Sequence, residues 1–277
     1  MRRKLAVIKP IIQASVMLAL AAIASCRGLP LSIRGPLPGE HQVPSQQLEF
    51  HTDFDLRPDD PLVSKLTAER DVISTTLGLP PSEEKIHVYL YHDAATYGQI
   101  LAKKFPMVPN RRAFFVETDT RLEVYAHLSD RVPEDLRHEV AHGYLHSCVP
   151  AIPLWLDEGL AEYFEVPDNL DGLNRPHLLL LSDLMEHNGW QPDLRQLEAI
   201  NSAGDMQQIH YAEAWAWAYF LLRSTPERRE LLSDYLAELR DKGSAKPIST
   251  RLASRHIQPQ RTLAEFLVAL KAAQPLD

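Results

Sequence analysis

Strand signals stop near Asp130, and this segregation constrains the fold more than any other feature of the 277-residue sequence. Before that point the two kinds of element are mixed. Residues 48–54 alternate apolar and polar side chains, as a half-buried strand does. Asp60-Pro61 can open a helix that runs to about Thr76 and stops at Gly78 and Pro80. Residues 86–91 are β-branched and aromatic and read as a strand, followed by a helix near 94–103. Residues 112–117 and 122–128 read as a hairpin with Thr118-Asp119-Thr120 near its tip. Beyond it the pattern predicts helices alone, near 132–147, 153–166, 176–187, 209–224, 227–240 and 262–272. The expectation is an α+β fold: a small sheet-containing part with an edge hairpin (46–130), then a mainly helical half (131–277).

Composition permits such a domain. Apolar residues make up 45% and charged residues 24% of the chain, enough for a substantial buried core. The net charge of −8 comes with no long basic run, so nucleic acid is not an expected partner.

The N-terminus predicts export. Arg2, Arg3 and Lys4 precede an apolar stretch from about Ile11 to Ile23, shorter than the roughly 20 residues a membrane span needs. Residues 1–25 therefore read as a signal peptide. Ile23-Ala24-Ser25-Cys26 resembles a bacterial lipobox, in which cleavage precedes a cysteine that becomes lipidated. A plain signal peptide with Cys26 incidental is the alternative. If Cys26 carries lipid, Cys148, the only other cysteine, has no partner for a disulfide. Residues 26–45 are dense in Pro and Gly and read as a tether. The implied location is the bacterial cell envelope, with the membrane reached through the N-terminal lipid.

The helix predicted near 132–147 contains His138-Glu139-Val140-Ala141-His142. Residues four apart share one helix face, so two imidazoles can grip one Zn²⁺. Glu139 sits one step round, where it can serve as a base toward water on the metal. Ser129 or Asp130 can cap this helix, Pro133 suits its first turn and Pro150 closes it. Two solvated histidines on an exposed helix are the competing reading of so short a motif.

A tetrahedral catalytic zinc needs a third protein ligand, and three residues are candidates. His146 keeps the four-residue spacing, but histidines spread over two turns of a straight helix cannot converge on one ion. Cys148 stands where metzincins place their third His, yet position 145, a glycine in that pattern, is Leu145. The third candidate is Glu158, in Trp155-Leu156-Asp157-Glu158-Gly159-Leu160-Ala161. That segment resembles the Trp-Leu-Asn-Glu-Gly-Phe-Ala segment of aminopeptidase N-like gluzincins. The resemblance implies a zincin-like helical half with Glu158 as third zinc ligand, across a spacer shorter than theirs. Glu162, one turn on, could orient a ligand histidine, or be an ordinary exposed acid.

Tyr211-Ala212-Glu213-Ala214-Trp215-Ala216-Trp217 is similar to a second region of the same enzymes, where a tyrosine hydrogen-bonds the oxyanion. By that likeness Tyr211 is the electrophilic helper, with His210 as the alternative. Trp215, Tyr219 and Leu222 recur at helical spacing, so Tyr211 also fits a core position. Nothing in the chain matches the Gly-x-Met-Glu-Asn segment with which these aminopeptidases bind a free amine. The hairpin before the metal helix corresponds to the edge strand along which gluzincins pair substrate backbone. The expected function is zinc-dependent hydrolysis of peptide bonds in a peptide or protein substrate, with Glu139 as base and an endopeptidase specificity. A catalytically silent lipoprotein that binds without cleaving, and a hydrolase of a non-peptide amide, are the competing functions.

Overall fold

The computed structural model describes residues 39, 41–106, 111–255 and 258–274. The signal segment, Cys26 and the tether up to residue 38 lie outside these residues. His41–Ser45 (β1) and Leu48–Thr52 (β2) pair antiparallel around Gln46, which adopts a left-handed φ of 52°. The expectation of a tether through residue 45 is corrected here, because its last five residues are a strand. Pro44 is tolerated because β1 lies at the sheet edge, where a missing N–H need not break a ladder.

Pro61–Leu77 (α1) carries the chain to Ile86–Tyr91 (β3), which lies parallel to β2. Asp60 caps α1 by accepting from the Leu62 N–H, and Gly78 ends it at φ 68°. Ala94–Lys104 (α2) is capped by Asp93. Ala113–Glu117 (β4) and Leu122–His127 (β5) then form the expected hairpin, with β5 inserted parallel to β3 and β4 left at the far edge. The sheet order is β1-β2-β3-β5-β4.

Among the described residues only helices follow, as the loss of strand signal predicts. They are Val132–Cys148 (α3), Leu154–Phe164 (α4), Arg175–Asn188 (α5), Leu194–Glu198 (α6) and Gln208–Arg223 (α7). Pro226–Lys242 (α8), Ile248–Ser254 (α9) and Pro259–Ala273 (α10) complete them. The overall architecture is α+β. Two short helices, α6 and α9, give too few turns for a periodic signal and are not evident in the sequence. Among the described residues no helix is long and apolar enough to cross a membrane.

Strand alternation divides the sheet into two unlike faces. Phe50, Ile86, Val88, Leu90, Phe115, Leu122 and Val124 face α1 and α3 and join the main core. Tyr89, Tyr91, Phe114, Val116 and Tyr125 face the other way and pack with Tyr97 and Leu101 of α2. Helix α3 lies close against β3: a Cβ added at Gly143 would stand 2.9 Å from Ile86 Cγ2. Helices α4 and α7 are buried almost throughout and cross closely. A Cβ at Gly159 would be only 2.3 Å from the Ala214 carbonyl oxygen, so that contact requires glycine.

Candidate metal centre

Helix α3 starts at Arg131 without a side-chain cap, and Ser129 Oγ accepts from the Arg131 N–H instead. Glu134 and Asp135 in its first turn complement the helix dipole. One face of α3 turns His138 and His142 onto α4, and their Nε2 atoms lie 3.2 Å apart. From α4, Glu158 Oε2 comes to 3.5 Å from His138 Nε2 and 3.7 Å from His142 Nε2. The predicted triad is thus brought together. Ligand bonds of about 2.0–2.2 Å to a tetrahedral zinc give ligand–ligand edges of roughly 3.4 Å. The three observed edges bracket that value.

Burial supports the same conclusion. His142 and Glu158 are fully buried, and neither Glu158 oxygen has a hydrogen-bond partner among the described residues. Leaving a buried carboxylate uncompensated costs several kcal/mol. Burial raises the Glu158 pKa, with His138 and His142 pulling the other way. A cation at the centre of the triad would satisfy both carboxylate oxygens and both imidazoles. These buried groups could therefore hold a metal ion.

The outer nitrogens of the two imidazoles are each held by a carboxylate. His142 Nδ1 donates to Asp157 Oδ1 at 2.9 Å, and His138 Nδ1 donates to Glu165 Oε2 at 3.0 Å. With a cation at the centre, both bonds would hold the proton on Nδ1 and leave Nε2 to face the ion. Asp157 also accepts from His146 Nε2 at 3.0 Å, while His146 Nδ1 meets Glu117 Oε2 at 2.7 Å. Burial opposes the charge on Asp157, but His142 and His146 outweigh it and hold the carboxyl well below the usual range. Burial likewise opposes a charged His146, yet Asp157 and Glu117 push its pKa up to about 10.

Glu162 does not orient a ligand histidine directly. Its Oε2 accepts from His177 Nε2 at 2.8 Å and from Asn174 Nδ2 at 3.2 Å. Burial opposes its ionisation, but His177 brings the pKa down to about 2. Glu165 takes the position expected of Glu162, and burial together with the charge of Glu162 pushes it up to about 8. Cys148 is far from ligand geometry, its Sγ donating to the Pro80 carbonyl. His210 is used as a helix cap, its Nδ1 accepting from the Gln207 N–H.

Glu139 is buried beside the triad and, with His138, forms the inner wall of a cleft of about 360 Å³. Glu162, Glu165, Leu170, Leu173 and Arg112 continue the lining. Tyr211, in the first turn of α7, is buried; burial and then Glu158 raise its pKa strongly, and Glu162 and Glu139 act in the same direction. No local pattern in the sequence points to Arg111. Its Nε and Nη1 are buried without a hydrogen-bond partner among the described residues. Burial lowers its pKa, while the charges of Glu139 and Glu158, together with Tyr211, act against that shift.

A family model described as "Protein of unknown function (DUF1570)" matches residues 134–248. That span runs from the first turn of α3 to the start of α9 and includes the triad, Glu139 and Tyr211. No curated protein matches the chain.

Proposed function

We propose that the protein is a zinc-dependent peptidase, acting as an endopeptidase at the bacterial cell envelope and held there by lipid on Cys26. The observation that carries the metal assignment is the buried carboxylate of Glu158, without a hydrogen bond among the described residues, facing the Nε2 atoms of two imidazoles. Two imidazoles and one carboxylate, with room for a fourth group, is a donor set typical of catalytic zinc. Zinc held there supplies a Lewis acid and lowers the pKa of a water from about 15.7 to roughly 7.

The chain's own groups account for the rest of the chemistry. Glu139 lines the cleft beside His138, where it can accept a proton from the attacking water and return it to the leaving amine. Asp157 and Glu165 fix the imidazoles, so the ligand lone pairs need no reorganisation during turnover. Tyr211, which is buried, and Arg111, whose Nε and Nη1 are buried, both lie under the electrostatic influence of Glu139 and Glu158 and are the donors offered to an oxyanion. Strand β4 is the sheet edge beside α3, and Phe115 on it stacks against His142 with ring centroids 5.9 Å apart. An extended peptide pairing with that edge would lay its backbone past the triad.

The test is metal analysis of the purified protein together with a peptide-cleavage assay of the wild type and a Glu139→Gln variant. The expected result is zinc that is lost in Glu158→Ala, and cleavage that falls about 100- to 10,000-fold in Glu139→Gln with zinc retained. Bound zinc with no cleavage by either protein would instead assign a binding role. Absence of zinc from a folded wild type would remove the site.

A further inference from the structure

Donor atoms converge a second time, on the opposite face of the sheet. Glu49 and His51 are two apart on β2 and so share a face. The parallel register sets Glu49 across from His87 of β3 and His51 across from Tyr89. Leu48, Phe50, Ile86 and Val88 alternate with them and point into the main core, so these three polar residues stand away from α3 and α4. His51 Nε2 and His87 Nδ1 are 3.0 Å apart. Glu49 Oε1 is 3.8 Å from His51 Nε2, and Glu49 Oε2 is 3.7 Å from His87 Nδ1. These edges resemble the 3.2, 3.5 and 3.7 Å of the α3–α4 triad, and they surround the same tetrahedral value of roughly 3.4 Å.

We propose that Glu49, His51 and His87 form a second site for a divalent transition-metal ion of the zinc class. Two imidazoles with one carboxylate favour zinc and its neighbours over calcium or magnesium, which prefer all-oxygen shells. The site is preorganised. The His51 ring stacks on Tyr89 at 4.7 Å, and Tyr89 stacks on Tyr125 at 4.9 Å, so one imidazole is held by an aromatic row that runs across the sheet. It is also accessible: the side chains of His51, His87 and Glu49 are 10%, 15% and 30% exposed, which leaves a path for the ion and a fourth position toward solvent. Of the charged neighbours, Glu123 favours a cation, while Arg121 and Lys85 oppose one. A bound ion would tie β2, and through it the edge strand β1, to the centre of the sheet. The inference does not rest on the peptidase reading.

The test is elemental analysis of the full chain after equilibration with Zn²⁺ and removal of the excess. Wild type, His87→Ala, Glu49→Gln and His142→Ala are compared, and circular dichroism verifies that each folds. The expected result is two zinc ions per wild-type chain and one in either His87→Ala or His142→Ala. Glu49→Gln keeps the shape of the site and is expected to weaken the second zinc by at least about tenfold. One zinc in the wild type that is lost in His142→Ala and unchanged in His87→Ala or Glu49→Gln would overturn this site while leaving the α3–α4 centre. One zinc lost in His87→Ala and unchanged in His142→Ala would support it and overturn the other. No zinc in any protein would overturn both.

Discussion

Asp157 holds two imidazoles at once, His142 through Oδ1 and His146 through Oδ2. Its charge makes the His142 Nε2 lone pair a better donor toward the centre of the triad. Asp157→Asn keeps a hydrogen-bond acceptor but removes that charge. The expected outcome is a folded protein whose zinc affinity falls about 10- to 100-fold, read by competition with a chromogenic chelator. At this scale the sequence marks the residues that meet in the triad, but not the groups that position them. His138, Glu139 and His142 are legible because one helix turn fixes their relation. Asp157 is legible only as a residue beside Glu158, and Glu165 not at all, because their bonds depend on how α4 lies against α3. Glu162 illustrates the same limit. Helical spacing puts it one turn beyond Glu158, but the packing of α5 supplies Asn174 and His177 as its partners.

The elements follow local rules closely. Asp60 and Asp93 start helices by capping them with their side chains, and Gly78 ends one with a left-handed backbone. The expected boundaries of α1, β3, β5 and α3 agree with the observed ones to within about two residues. Strand β1 departs from expectation because a proline-containing segment becomes a strand only when β2 is beside it. Gly159 shows why a local motif has a tertiary cause, since the α4–α7 crossing leaves no space for a Cβ. Gly159→Ala is expected to destabilise by about 1–3 kcal/mol or more, because the obstacle is backbone and cannot rotate away. Gly98→Ala in α2 meets nothing within 4 Å and is expected to be neutral or to stabilise by up to about 1 kcal/mol. Thermal unfolding of the two variants beside wild type checks both signs.

For the whole molecule, the α3–α4 triad joins two helices of the main core, so a metal held there, as proposed, would be linked to global stability. An ion that binds only the folded chain stabilises it by about 2.7 kcal/mol at 100 times its dissociation constant. Chelation is therefore expected to lower the midpoint of thermal unfolding by several degrees for a chain of this size, and added zinc to restore it. An unchanged midpoint in scanning calorimetry, with zinc removal verified, would contradict that linkage. The sequence by itself determined the segregation of strands from helices, because both follow from short-range periodicity, and it determined the His138–His142 pair, because one helix turn sets their spacing. Only the tertiary structure decided that Glu158 faces that pair and that Asp157 and Glu165 hold it. The same holds for Glu49 and His51 meeting His87 across two strands. The physical reason is that each of these contacts joins separate elements, and their relative placement is fixed by packing of the shared core rather than by any local spacing.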